Sequence, residues 1–245
     1  MWLGDQLKEF ASIWQSRENL SPRAYGLLKL DPDIKALDTF GKRAYKAEMN
    51  TQRTILIDLL GGAQNFLQQE GILEGELENS IDTIIEHIQQ EAASWKEILP
   101  YSTWASAVGT LVNTVATKII DDVFDLSDLG VDEAERTAQL ISRITTLDSL
   151  FLPPKANSKS QSQSDDQESA PTTAQYAENW LRMHFLSEVL QSNLKDIRFL
   201  WFESHLSLYF SQDEVVDLIN LSFENNAGVR ALIKDIKEKP IPSVE

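Results

Sequence analysis

Residues 178–237 read ENWLRMHFLSEVLQSNLKDIRFLWFESHLSLYFSQDEVVDLINLSFENNAGVRALIKDIK. Apolar residues recur here at steps of three and four, the period of a helix face and not of a strand. Eight of the chain's 21 aromatics fall between Tyr176 and Phe210, where an even spread would place three. Read as one helix from Trp180 to about Tyr209, the segment carries two stripes. Phe199, Phe202, Leu206 and Phe210 form one, and Trp201, His205 and Leu208 form the other. A helix apolar over most of its circumference is a buried helix. One stripe therefore serves the domain's own core, and the other is covered by a further helix of the chain or by a partner. On this reading the candidate partner-binding residues are Trp180, Phe185, Phe199, Trp201, Phe202, Leu208, Tyr209 and Phe210. Ser211-Gln-Asp-Glu214 has the spacing of a capping box and predicts a helix start ahead of Val215, Val216, Leu218, Ile219 and Phe223. Asn225-Asn226 tolerates left-handed geometry and so predicts that helix's end, with Val229, Leu232, Ile233 and Ile236 on a last short helix before Pro240.

Immediately upstream the composition changes. From 153 to 175 Ser, Gln, Pro and acids replace every Leu, Ile, Val, Phe, Trp and Met. Such a stretch buries too little apolar surface to offset its ordering entropy. The expected organisation is a helical bundle at 1–152, a polar flexible linker or loop at 153–177, a C-terminal helical unit at 178–240 and a tail at 241–245. The linker's serines are phosphorylation candidates, although serine-rich linkers are more often plain spacers.

The pattern before the linker is helical almost throughout. Asp5 to Gln15 is a short first helix, and Ser21-Pro22 and Asp31-Pro32 each place a capping residue before a proline. A long run then carries Ile34, Leu37, Phe40, Ala44, Ala47, Thr51, Ile55 and Leu59 as an expected core face, ending near Gly61-Gly62. Leu77, Ile81, Ile84, Ile88, Ala92, Trp95 and Leu99 make a heptad-like seam that ends at Pro100 and needs a partner helix. Ser102 can cap the next helix, whose Val108, Leu111, Val112, Val115, Ile119 and Val123 supply the matching face. Asp132 is the expected start of another, with Ala138, Ile141, Ile144, Leu147 and Phe151 inward. Antiparallel helices joined by short connections make an all-α fold of helical bundles, in two packed units divided in sequence by the linker.

Composition limits the function. A hydrophobic content of 42% is enough for a real core. The balance of 22 basic against 38 acidic residues, a formal charge of -16, opposes extended contact with nucleic acid or anionic lipid. With no cysteine there is no disulfide or thiolate site, and cytosol is the default compartment. Neither a signal peptide nor an 18-residue apolar span is recognisable, so membrane insertion is not expected.

Chemistry is poorly supported. Of three histidines, His184 and His205 lie 21 positions apart, without HExxH context. Gly61-Gly62 lacks the spacing of a phosphate loop and reads as a helix end. Asp121-Asp122 and Asp165-Asp166 read as solvated charge. No GxSxG elbow or cofactor fingerprint occurs, so no catalytic, metal or cofactor-binding residue is assigned, and a non-enzymatic interaction module is the simplest reading. A helical enzyme or ligand-binding protein would need a pocket gathering His184, His205 and a buried carboxylate.

Four stretches carry a resemblance. WKEILPYSTWASAVGTLVNTVATKIIDDVFDLSDLGVDEA from Trp95 resembles the C-terminal region of the zeste-white ten (centromere/kinetochore) family. AENWLRMHFLSEVLQSNLKDIRFLW from Ala177 and FSQDEVVDLINLSFENNAGVRALIKDIK from Phe210 resemble its next two elements, and FGKRAYKAEMNTQRTILIDLLGGAQNF from Phe40 is similar to its fungal branch. The matches run from about Asp31 to Pro240. They leave the family's N-terminal coiled-coil half without a counterpart, and the polar stretch at 153–175 departs from the pattern. The resemblance implies an exocyst-like and COG-like helical rod in a Dsl-type (NRZ) complex that receives COPI vesicles in Golgi-to-endoplasmic-reticulum transport. It implies tethering-complex partners: a NAG-type helical solenoid, with ER SNAREs reached indirectly. The implied location is cytoplasmic and peripheral at the endoplasmic reticulum. The alternative it carries is a kinetochore scaffold of the Rod-Zwilch type.

Overall fold

The computed structural model describes residues 31–68, 75–152 and 172–238, with isolated positions 6, 9 and 13. Among them no strand occurs, and the all-α class holds. The helices are α1 (Asp31–Leu59), α2 (Glu76–Lys96), α3 (Tyr101–Phe124), α4 (Val131–Ile144), α5 (Trp180–Gln191), α6 (Leu194–Phe202), α7 (Leu206–Tyr209), α8 (Gln212–Ser222) and α9 (Ala227–Glu238). Short 3-10 turns stand at Phe66–Gln68, Thr145–Leu150 and Thr172–Gln175. The helix expected at Asp5–Gln15 meets the described residues only at 6, 9 and 13, which are helical. The start expected at Ser21-Pro22, Asp165-Asp166, the tail and most of the expected linker lie outside them.

The chain divides into two compact units, Met1–Arg53 and Thr54–Glu245. In the first, Ile34 and Met49 are buried, whereas Leu37, Phe40, Ala44, Ala47 and Thr51 are exposed, contrary to the expected core face. For Ala44, Ala47 and Thr51, which carry little apolar area, burial would gain little; Leu37 and Phe40 are large apolar residues left exposed.

In the second unit the end of α1 is fixed by its backbone. Gly62 N–H donates to Ile57 O at 2.8 Å and Gly61 N–H to Asp58 O at 3.1 Å, with Gly61 at φ 83°. These are the two bonds of a Schellman motif, and they need the left-handed residue that glycine supplies. The next turn is tied to α3 through Asp122. Its carboxylate accepts from Phe66 N–H at 3.1 Å and from Lys118 Nζ at 2.6 Å, and its carbonyl accepts from Asn65 Nδ2 at 2.7 Å. Asp122 is buried, so the solvated reading of Asp121-Asp122 fails for that member. A helix-end aspartate turned inward can order a whole loop, provided its charge is paired. Burial pushes its carboxyl up, against the pull of Lys118 and the Phe66 amide.

Leu77, Ile81, Ile84, Ile88 and Ala92 of the α2 seam are buried, and α2 packs on α3 and α4. Trp95 and Leu99 are only partly covered. All six residues of the expected α3 face are buried, as are Ala138, Ile141, Ile144, Leu147 and Phe151. Across α2 and α4, Arg136 bonds both oxygens of Glu78 at 3.0 and 3.2 Å, and Arg143 bonds Asp82 at 2.8 Å. Neither expected side-chain cap forms. α3 opens after Pro100, leaving Ser102 inside its first turn, and α4 opens after Gly130, whose N–H donates to Glu133 Oε2 at 3.0 Å.

The expected linker ends earlier than its composition indicates. Thr172–Gln175 is a helical turn, Thr173 is fully buried, and Tyr176 stacks on Phe151 with ring centroids 5.7 Å apart. Helix α5 then packs against α3 and α4. The polar stretch thus divides the sequence without separating α5 from the bundle.

The single long aromatic helix is also corrected. Asn193 Oδ1 accepts from the Lys195 and Asp196 amides at 2.9 and 3.2 Å, which caps a new helix after an extended Ser192. A second break falls at Glu203–His205 before α7. The capping box at Ser211 and Glu214 forms as read, with Ser211 Oγ accepting from Glu214 N–H and Glu214 Oε2 accepting from Ser211 N–H. Asn226 plays a different part from the one expected. α8 ends on an extended Phe223, and Asn226 Oδ1 accepts from Val229 N–H at 3.0 Å to start α9.

Candidate functional site

The breaks at 192–193 and 203–205 rotate successive helices, so the eight candidate residues do not share one face. Trp180 and Trp201 are fully buried and Phe210 nearly so, which places these three in the core and out of a partner's reach. Trp180 Nε1 donates to Asp148 Oδ1 at 2.9 Å. Phe210 lies under the Arg182 guanidinium, 5.0 Å from its ring centroid, and beside Phe124 at 6.2 Å. Arg182 also bonds Glu214 at 2.6 Å, so one cation links α5 to the start of α8 and to the end of α3. Burial alone would raise the Glu214 carboxyl, but the Ser211 amide and hydroxyl and Arg182 outweigh it and lower it.

The other five reach the surface. Phe199 is 54% exposed and Leu208 is 57% exposed. Phe185, Phe202 and Tyr209 are half-buried. Phe185 stacks on Tyr209 at 5.0 Å, and Arg198 lies over Phe202 at 5.4 Å while pairing with Asp235 of α9. Phe185, Tyr209 and Phe202 are therefore held by these contacts and are already ordered before any partner arrives. Phe199 borders a shallow groove with Leu200, Gln191, Ser192, Glu188 and Asp196.

His184 and His205 sit in different settings. His184 is half-buried, edge-on to Trp180, with Nε2 4.0 Å from Asp148 Oδ2. That is beyond hydrogen-bond distance, and desolvation wins over the carboxylate's pull, holding its pKa below the usual value. His205 is exposed at the start of α7. Among the described residues no group of three or more His, Asp or Glu is placed to hold a metal ion, and no helix is long and apolar enough to cross a membrane.

One surface escaped the sequence. A cleft of about 450 Å³ is walled by Leu129, Val131 and Ala134, by Leu190, and by Phe223. Those residues come from three stretches far apart in the chain, and in sequence each looks like an ordinary helix end.

The comparisons with known proteins bear on this architecture directly. Residues 79–236, from early α2 into α9, match the family described as the ZW10 C-terminal helical domain. The centromere/kinetochore protein zw10 homologs of Rattus norvegicus and Mus musculus are 25% and 24% identical to the chain over 203 residues, 80% of its length. The chain spans about a quarter of the length of these curated relatives. Because the family match takes in every helix of the second unit from α2 onward, the chain belongs to the ZW10 C-terminal helical domain family.

Proposed function

We propose that the chain acts as a non-enzymatic interaction module, the partner-docking part of a vesicle-tethering subunit in Golgi-to-endoplasmic-reticulum retrograde transport. Its docking surface is the set of outward-facing aromatic and apolar residues on α5 to α7, above all Phe199 and Leu208, which are large, apolar and more than half exposed. Exposed apolar side chains on a rigid helical framework are the usual anchors of a protein interface. The partner on this reading is a NAG-type helical solenoid. Cytoplasmic placement at the endoplasmic reticulum membrane then follows from the partner.

A second reading is supported by the relatives' printed names, which are those of centromere/kinetochore proteins. Here the same surface serves a kinetochore scaffold and meets a Rod-type solenoid.

A pull-down of the full chain with each solenoid separates the two readings. Phe199→Ala and Leu208→Ala should weaken capture of the true partner while the circular dichroism spectrum stays unchanged. Undiminished capture of either solenoid by both variants would remove this surface from the interface. Capture of neither solenoid by the unaltered chain would count against both readings.

A further inference from the structure

The cleft between the starts of α4 and α6 and the end of α8 combines an apolar floor with an acidic surround. Leu190 and Phe223 form the floor, and Val131, 80% exposed, stands at the rim. Its shape is fixed by the fold: Leu129 N–H donates to Leu221 O at 3.0 Å, which pins the α3–α4 loop to α8. That loop and the first two turns of α4 carry Asp125, Asp128, Asp132, Glu133 and Glu135 in eleven residues without a lysine or arginine. Glu135 lines the cleft itself, one helical turn beyond Val131, and Glu224 follows Phe223. None of the lining residues is basic; the bases that flank them in sequence are Lys195, two positions past Asn193, and Arg136, which follows Glu135 and pairs with Glu78. Ser222 also lines the cleft, with its hydroxyl oxygen buried and without a hydrogen-bond partner.

We propose that this cleft is a docking site for a basic segment of a partner protein, one that sets an apolar side chain against Leu190 and Phe223 and Lys or Arg against the carboxylates. The volume suits one or two side chains and falls within the range of ordinary recognition pockets, about 300–1,000 Å³. Glu135 in the lining and the acidic α3–α4 loop next to it in sequence favour a cationic partner and raise its encounter rate. The site shares Gln191 and Ser192 with the groove that Phe199 borders, but Leu190, Phe223, Val131 and Glu135 lie outside that groove.

Selection of random short peptides on the full chain, followed by fluorescence anisotropy of the enriched ones, tests the proposal. Enriched peptides should carry net positive charge and an apolar anchor, and should bind more weakly as salt rises. Glu135→Lys and Val131→Asp, both at exposed positions, should each lower affinity about tenfold or more, while Phe199→Ala leaves it unchanged. Loss with Phe199→Ala but not with Glu135→Lys would place the peptides on the aromatic surface and overturn the proposal without touching the reading above. Failure to enrich any peptide, or enrichment of neutral or acidic ones, would also overturn it. Dimerisation of the chain in sedimentation, abolished by Glu135→Lys, would give the cleft to a second copy and overturn the partner chemistry.

Discussion

A methyl group placed on Gly109 of α3 would lie 2.4 Å from the Cβ of Tyr176 and 2.5 Å from its carbonyl oxygen. The backbone at 172–177 rests directly on the helix, and only a residue without a side chain allows it. Gly109→Ala should therefore destabilise the protein even though alanine is the better helix former by about 1 kcal/mol. The obstructing atoms are backbone and Cβ, which cannot rotate away, so the loss should reach about 3 kcal/mol or more. Urea unfolding measures it, and an unchanged midpoint would show that 172–177 lifts off α3 without cost.

One and two turns further along α3, Asn113 and Thr117 continue the same contact. Asn113 Oδ1 accepts from Asn179 N–H at 2.7 Å, and Asn179 Nδ2 donates to Thr117 Oγ1 at 2.9 Å. The two asparagines are not equivalent. Asn113→Ala strands a part-buried backbone donor and should cost about 1–3 kcal/mol. Asn179→Ala keeps its own amide on Asn113 and gives up only the side-chain bond, about 0.5–1.5 kcal/mol. Equal costs in thermal unfolding would contradict this ordering.

Those contacts explain what the sequence could and could not reveal. Buried faces with steps of three and four, such as Ile81, Ile84 and Ile88, were legible because the helix period writes them into the chain. The capping box at Ser211 was legible because both partners are local. Gly109 reads as a weak helix position until Tyr176, 67 positions on, is seen against it. Likewise Asp122 reads as a solvated helix end, since its partner Phe66 N–H comes from a distant turn. The break at Asn193 was hidden by apolar residues that continue in helical rhythm on both sides of it. Because that break changes which way each later ring points, the candidate surface could be located in sequence but not resolved into buried and exposed members.

The partial burial of His184 beside Trp180 makes stability depend on pH, because desolvation disfavours its charged form. Its pKa in the folded protein lies below the ordinary value of about 6.5. Above that value both states are neutral and stability is unaffected. As pH falls through it, the unfolded chain takes up a proton that the folded chain resists, so stability drops until the folded pKa is passed. Asp122 works in the opposite sense, because its raised pKa makes the fold favour the protonated acid as pH falls. The contribution of His184 is therefore the difference between the unaltered chain and His184→Gln. That difference should shrink steadily from pH 7 to pH 5 in urea titrations, and a constant difference would refute it.

Trp201 and Phe199 sit two residues apart on α6 and should respond oppositely to truncation. Trp201 is fully buried, so Trp201→Ala opens a large cavity and should cost about 3–5 kcal/mol. Phe199 projects outward, so Phe199→Ala should change stability by less than about 0.5 kcal/mol. The indole Nε1 of Trp201 is buried without a hydrogen-bond partner, so Trp201→Phe removes an unsatisfied donor along with its volume and should cost less than the alanine change. Chemical denaturation of the three variants distinguishes these outcomes. If Phe199→Ala unfolded the protein as Trp201→Ala does, the exposed ring would be a structural member of α6, and its loss could not be read as the loss of a docking contact.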